Sequence, residues 1–114
     1  MAKMRALSIR QPWAELILRR TKKSEIRSRP TKIRGRVYIY AGLKRDTPRQ
    51  EKGWTKKYKL DLDELPRGVI VGSVEIIGCE KRGKDWHWLL RAPKRAKTLR
   101  KPKNQPQPSF FWPY

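Results

Sequence analysis

"LSIRQPWAELILRRTKKSEIRSRP", residues Leu7–Pro30, decides how the rest of the chain is read. Leu7 and Ile9 alternate with Ala6, Ser8 and Arg10, the period of a strand. Gln11 then precedes Pro12, and proline suits the first turn of a helix, where its missing N–H costs nothing. Trp13, Leu16, Ile17 and Arg20 follow at helical spacing. The spacing predicts a short helix from Pro12 to Arg20 with Trp13, Leu16 and Ile17 on its buried side. "SEIRSR" alternates again: Ser24, Ile26 and Ser28 share one face, and Glu25, Arg27 and Arg29 share the other. Pro30 closes the segment.

Outward from there the pattern stays short and β-rich. "GRVYIYAG" is a strand with Val37 and Ile39 on one side and Tyr38 and Tyr40 on the other, bounded by Gly35 and Gly42. "RGVIVGSVEIIGCEK" reads as a long strand in which Gly68, Gly72 and Gly78 mark its start, a bulge or a corner. "DWHWLL" is a further short strand or turn, and "RAPKRAKTLRKPKNQPQP" reads as an irregular basic loop. "SFFWPY" is too apolar for a loose tail and is expected to dock as a last strand, with Phe110, Phe111 and Trp112 in the core. Residues 43–66 form a polar excursion with room for a short helix but poor periodicity. The expectation is one domain over residues 1–114, mostly β (α+β): a small β-barrel with short flanking helices.

Charge narrows the function. The chain carries 30 Lys+Arg against 10 Asp+Glu, a net charge of +20. Such self-repulsion favours a polyanionic partner, and nucleic acid is the commonest one. A membrane surface would call for a basic amphipathic helix or a lipid signal, and neither is present. No apolar run approaches membrane length, and the opening residues lack the apolar region of a secretory signal, so a cytoplasmic protein is expected. With Cys79 and His87 single, no intramolecular disulfide, cysteine zinc site or histidine cluster can form, and no metal or cofactor is expected.

The candidate site residues follow from faces and charge. Glu25 and Arg27 leave one face of a strand, with Lys22 close by. A carboxylate there can accept from a base amino group, while the cations hold phosphate or a carbonyl. Ser8, Arg10 and Gln11 surround the strand-to-helix corner, where helix N–H groups favour anions; Gln11 is equally a capping residue, and Trp13 is read as core. Tyr40, with Tyr38, either packs or stacks a base. Ser73 and Glu75 share a face, and Glu75 is read as an acid without a catalytic role. His87 is read as structural. Arg29 extends the basic face, and Arg91, Lys94, Arg95, Lys97, Arg100, Lys101 and Lys103 form a one-signed run suited to phosphate contacts.

Three stretches carry a family resemblance: "LSIRQPWAELIL" leading into "TKKSEIRSR", "GRVYIYAG" followed by "RGVIVGSVEI", and "WHWLL" before "QPSFFWPY". Together they resemble the ASCH domain family, a branch of the PUA-like β-barrels. Lys22, Glu25 and Arg27 match the last three fixed positions of its Gly-x-Lys-x-x-Glu-x-Arg motif, and Arg20 stands where glycine is usual. The resemblance implies a barrel with a cleft beside the first helix, taking RNA or a nucleotide-like small ligand. A bacterial branch of similar fold hydrolyses acetylated cytidine with a Lys, a Thr three residues later and a Glu from a later strand. The corresponding residues here are Lys22, Glu25 and Glu75. Glu25 in place of threonine removes the hydroxyl that such hydrolysis needs. The reading is therefore a nucleic-acid-binding module, RNA before DNA, acting as a monomer. Its alternatives are a hydrolase of modified nucleosides or RNA (an amidohydrolase or ribonuclease) with Lys22, Glu25 and Glu75 as acid/base candidates, and a basic accessory protein of a ribonucleoprotein.

Overall fold

The computed structural model describes residues 3–114. Its elements are β1 (Ala6–Ile9), α1 (Trp13–Leu18), β2 (Ser24–Arg27), β3 (Gly35–Ala41), α2 (Pro48–Tyr58), β4 (Val69–Arg82), β5 (Asp85–Arg100) and β6 (Phe110–Phe111). The six strands form one sheet in the order β2-β5-β4-β3-β1-β6, antiparallel except for the β1–β3 pair. The α+β class and the β-rich character match the expectation. Closure as a barrel does not: β2 and β6 are end strands, and no backbone ladder joins them. Instead the sheet curls until side chains bridge the seam. Trp88 of β5 stacks on Phe110 of β6 at 5.5 Å with ring planes 6° apart. The Arg27 guanidinium of β2 donates to the Ser8 carbonyl of β1 at 2.7 Å.

The alternation read from the sequence places the core. Leu7 and Ile9 of β1, Val37 and Ile39 of β3, Val71, Val74 and Ile76 of β4, and Trp88 and Leu90 of β5 pack with Ala14 and Ile17 of α1. A second, smaller cluster on the opposite face holds Ala6, Tyr40, Ile70 and Phe111, with Tyr38 and Tyr114 against it. β1 is thus covered on both faces, as a central strand should be. Trp112, expected in the core, is 47% exposed beneath the Arg5 guanidinium. It follows β6, past the last paired residue, Phe111.

Gly72 and Gly78 sit at register shifts between β4 and β5, the bulges their positions suggested. The basic "loop" from Arg91 is the correction. β5 runs on through it to Arg100, passing Pro93 by a local kink. Ala92 takes a left-handed φ of 49° there, and the Arg36 guanidinium caps its carbonyl at 2.9 Å. Ladder pairing resumes with Ser73↔Lys94 and Gly72↔Arg95.

α1 starts one residue later than expected because Pro12 is its N-cap. A buried acid on this helix ties it to the sheet. The Arg95 guanidinium donates twice to Glu15, at 2.8 and 3.0 Å, and Arg19 donates at 2.6 Å. Burial alone would raise the Glu15 pKa, but these hydrogen bonds hold the carboxyl below its ordinary value. A depressed folded-state pKa contributes stability that is present above the unfolded value and lost as pH falls through the folded one. Glu15→Gln is therefore expected to be less stable than the wild type at neutral pH, and to lose less on acidification below the carboxylate range. Urea unfolding at neutral and acid pH measures both.

Candidate nucleic-acid cleft

The turn after α1 builds the site. Thr21 N–H bonds to the Leu16 carbonyl and Arg20 N–H to the Ile17 carbonyl, both at 3.0 Å, closing the helix in a Schellman motif. The motif needs a left-handed residue in its middle, and Arg20 supplies it with φ 65°. That is the position where the family motif usually has glycine, and glycine alone takes this conformation without Cβ strain. Arg20→Gly is expected to stabilise the fold by about 1 kcal/mol, a melting-point rise of about 4 °C. A fall in melting temperature would refute the strain.

The motif turns the chain so that Lys22 enters a cavity of about 1380 Å³. α1, β1, β2, the excursion with α2 and residues 105–108 all contribute walls. Glu25 is 8% exposed on the inner face of β2, while its apolar neighbour Ile26 is 47% exposed on the outer one. The register causes this inversion: Glu25 pairs with Trp88, whose ring is in the core. Inside the cavity, Arg27 Nε donates to Glu25 Oε2 at 2.8 Å. Lys22 Nζ stands 3.9 Å from Glu25 Oε1 and 5.7 Å from the centre of the Trp13 ring. Burial pushes the Lys22 pKa below its ordinary value; Glu25 opposes that shift and Arg27 adds to it.

Arg27 is not free for a ligand. Besides Glu25 and the Ser8 carbonyl, it donates to the Pro108 carbonyl at 3.3 Å, and its guanidinium lies 5.4 Å from the Trp88 ring. Ser8 fastens the same segment, through its hydroxyl to Gln107 and its N–H to Ser109. The two residues hold a cavity wall in place.

The remaining sequence candidates divide. Ser8, Arg10 and Tyr40 line the cavity with the Lys22, Glu25 and Arg27 set. Arg10 is at the rim, paired with Asp46 at 2.9 Å. Tyr40 is largely core, and burial raises its phenol pKa. Gln11 is 2% exposed and lies outside the cavity lining. Its side-chain carbonyl accepts from Glu15 N–H and its side-chain amide donates to the Pro66 carbonyl, so it caps the first turn of α1 from the position before the N-cap Pro12. Arg29 contributes only a backbone carbonyl, to Trp88 Nε1, and its side chain points to solvent. Glu75 pairs with Arg91 at 2.6 Å, outside the cavity. The structure thus brings Lys22 and Glu25 together and leaves Glu75 apart. Lys94, Arg95, Lys97 and Arg100 line a separate hollow, and Lys101 and Lys103 lie exposed beyond β5.

The sequence reading missed one wall. Trp54 and Tyr58, one turn apart on α2, meet Trp13 edge-on at 5.0 and 6.1 Å. Trp13 is therefore half-buried, packed on the core with one side and walling the cleft with the other. The available signal was Thr47-Pro48-Arg49-Gln50, a capping box with proline at the first helical position. Arg45 then fastens the excursion to Glu51 and Asp63.

A model of the ASCH domain matches residues 7–106. The chain belongs to the ASCH domain family. The human protein "Activating signal cointegrator 1" is 36% identical over 80 residues, which cover 64% of this chain and 14% of that protein. The mouse protein of the same name is 38% identical over 80 residues, with the same coverage. The chain thus matches only a small part of the length of these relatives. ASCH membership, with a net charge of +20, supports a general role in binding nucleic acid.

Proposed function

We propose that this ASCH domain binds single-stranded nucleic acid, RNA before DNA, and holds one unstacked nucleotide in the cleft. The observation that carries this is the Lys22–Glu25 pair, set in a cavity with an aromatic wall. Glu25 Oε2 is taken by Arg27, which leaves Oε1 as one acceptor beside one cationic donor, Lys22. Cytosine and adenine present a matching edge, an amino donor next to a ring acceptor. Guanine can match through N1–H and O6 but leaves its N2 amino group without a partner. Trp13, Trp54 and Tyr58 offer ring surface for the base, and Lys44 and Lys57 stand on the cavity lining for phosphate. The preference for RNA rests on the family.

Calorimetry with the four nucleoside monophosphates and with short single-stranded RNA tests this reading. Trp54→Ala is expected to weaken binding about tenfold or more, given roughly 1–3 kcal/mol per stacked base. Glu25→Gln should lose the preference for cytosine and adenine while remaining folded. If Lys84→Ala, on the β4–β5 turn and outside the cavity lining, weakens binding as much as either, there is no selective cleft.

Hydrolysis is the weaker reading because Glu75 is held by Arg91 away from Lys22. Turnover of acetylated cytidine or of RNA, lost on Lys22→Ala, would restore it. Binding that ignores every cleft substitution would favour the accessory-protein reading.

A further inference from the structure

The second hollow is not part of the cleft. It encloses about 540 Å³ between β4 and the far half of β5, and none of its lining residues is shared with the cleft. Its cations differ in kind. Arg95 is committed to Glu15 by two hydrogen bonds. Lys94, Lys97 and Arg100 have no acidic partner among the described residues. The Arg100 guanidinium rests on the Tyr114 ring at 5.1 Å, and Tyr114 meets Tyr38 edge-on at 6.0 Å. This stacking fixes the arginine head without using its N–H donors. No acid lines the hollow.

The hollow lies beside the cleft. Tyr38 lines the one and Tyr40 the other, and they are two residues apart on one face of β3. That spacing is about 7 Å. Tyr40 pairs with Ile70, so a single cross-strand pair and the Phe111 ring packed on it separate the two.

We propose that the hollow is a second binding site, for the phosphodiester backbone of the strand whose nucleotide occupies the cleft. It rests on the cleft reading for the placement of that strand, and it adds a direction: the backbone leaves the cleft on the Tyr40 side and enters between Lys94, Lys97 and Arg100. Three unpaired cations around a hollow with the hydroxyls of Ser73 and Thr98 suit phosphate oxygens.

The test compares the triple variant Lys94→Gln, Lys97→Gln, Arg100→Gln with a control triple, Lys32→Gln, Lys81→Gln, Lys84→Gln, which removes the same charge from exposed positions. Melting curves establish that both fold. A nucleoside monophosphate and a single-stranded RNA of about five nucleotides are titrated over a range of salt. The first triple is expected to keep monophosphate affinity, to lose about tenfold or more for the RNA, and to flatten its salt slope by about 2, since each phosphate contact contributes roughly 0.7 for single strands. The control should lose markedly less. Equal losses in both triples, or no loss in the first, would overturn the site. If the wild type fails to bind the monophosphate yet RNA binding still depends on the first triple alone, the cleft reading falls and the backbone site stands.

Discussion

Arg27→Ala is expected to cost about 4 kcal/mol of stability, lowering the melting temperature by about 15 °C. No backbone ladder joins the two ends of the sheet, so side chains bridge them. Arg27 donates to Glu25 on its own strand, to the Ser8 carbonyl on β1 and to the Pro108 carbonyl just before β6. Removing it leaves a carboxylate that is 8% exposed with only Lys22, 3.9 Å away. Breaking a buried pair from one side is more harmful than replacing both partners, because the surviving charge stays desolvated. Two further acceptors lose charge-assisted donors at the same time. Arg27→Lys should recover less than half of the loss, because one ammonium cannot span three acceptors in the directions of a planar fork. The double variant Glu25→Leu, Arg27→Leu should be more stable than Arg27→Ala, yet bind no nucleotide. Denaturant unfolding of the four proteins decides the matter. An Arg27→Ala protein melting within about 4 °C of the wild type would mean that Arg27 is a ligand-facing cation rather than the clamp of the seam.

The sequence made the cleft partly legible for a reason that also limited it. Period-two alternation placed Glu25 and Arg27 on one face whatever the fold, but it could not say which face was inner. Hydropathy alone would have turned Ile26 inward, and the pairing of Glu25 with Trp88 turns it outward. Arg27 was legible as a cation but not as a clamp, since its acceptors are backbone carbonyls 19 and 81 residues away in sequence. α2 was obscured because it half-buries only a short stripe, Trp54 and Tyr58, too little to show a helical period. β5 was cut short at Pro93 because proline ends most strands; here the missing donor falls at a kink that Arg36 satisfies from the side. Arg20 was legible as a departure from the motif, and its left-handed φ supplies the physical meaning of the glycine it replaces.

Gly72→Ala should be the second most damaging single change, for steric reasons. A Cβ there would lie 2.3 Å from the Lys94 carbonyl and 2.7 Å from Leu18 Cδ2. The first neighbour is backbone on the adjacent strand and cannot swing away; the second is the last residue of α1. β4 and β5 must part at the ladder pair Gly72↔Arg95, and Leu18 must turn its Cδ2 away or lift α1 from the sheet. Overpacking of this kind costs about 3 kcal/mol, and lifting α1 also pulls Glu15 from Arg95. The functional consequence follows from the same geometry. α1 carries Trp13 and Leu16 on the cleft wall, so its displacement should weaken nucleotide binding as well as stability. Gly53→Ala separates this effect from any general effect of glycine replacement. Gly53 is inside α2 with nothing within 4 Å of its added Cβ, so alanine there should stabilise the helix by up to about 1 kcal/mol. Opposite signs for the two glycine-to-alanine changes, with nucleotide affinity reduced only by the first, would establish that the contact at Gly72 sets the position of α1. Equal tolerance of both would show that α1 sits on the sheet with room to spare, and that the cleft is not held from that side.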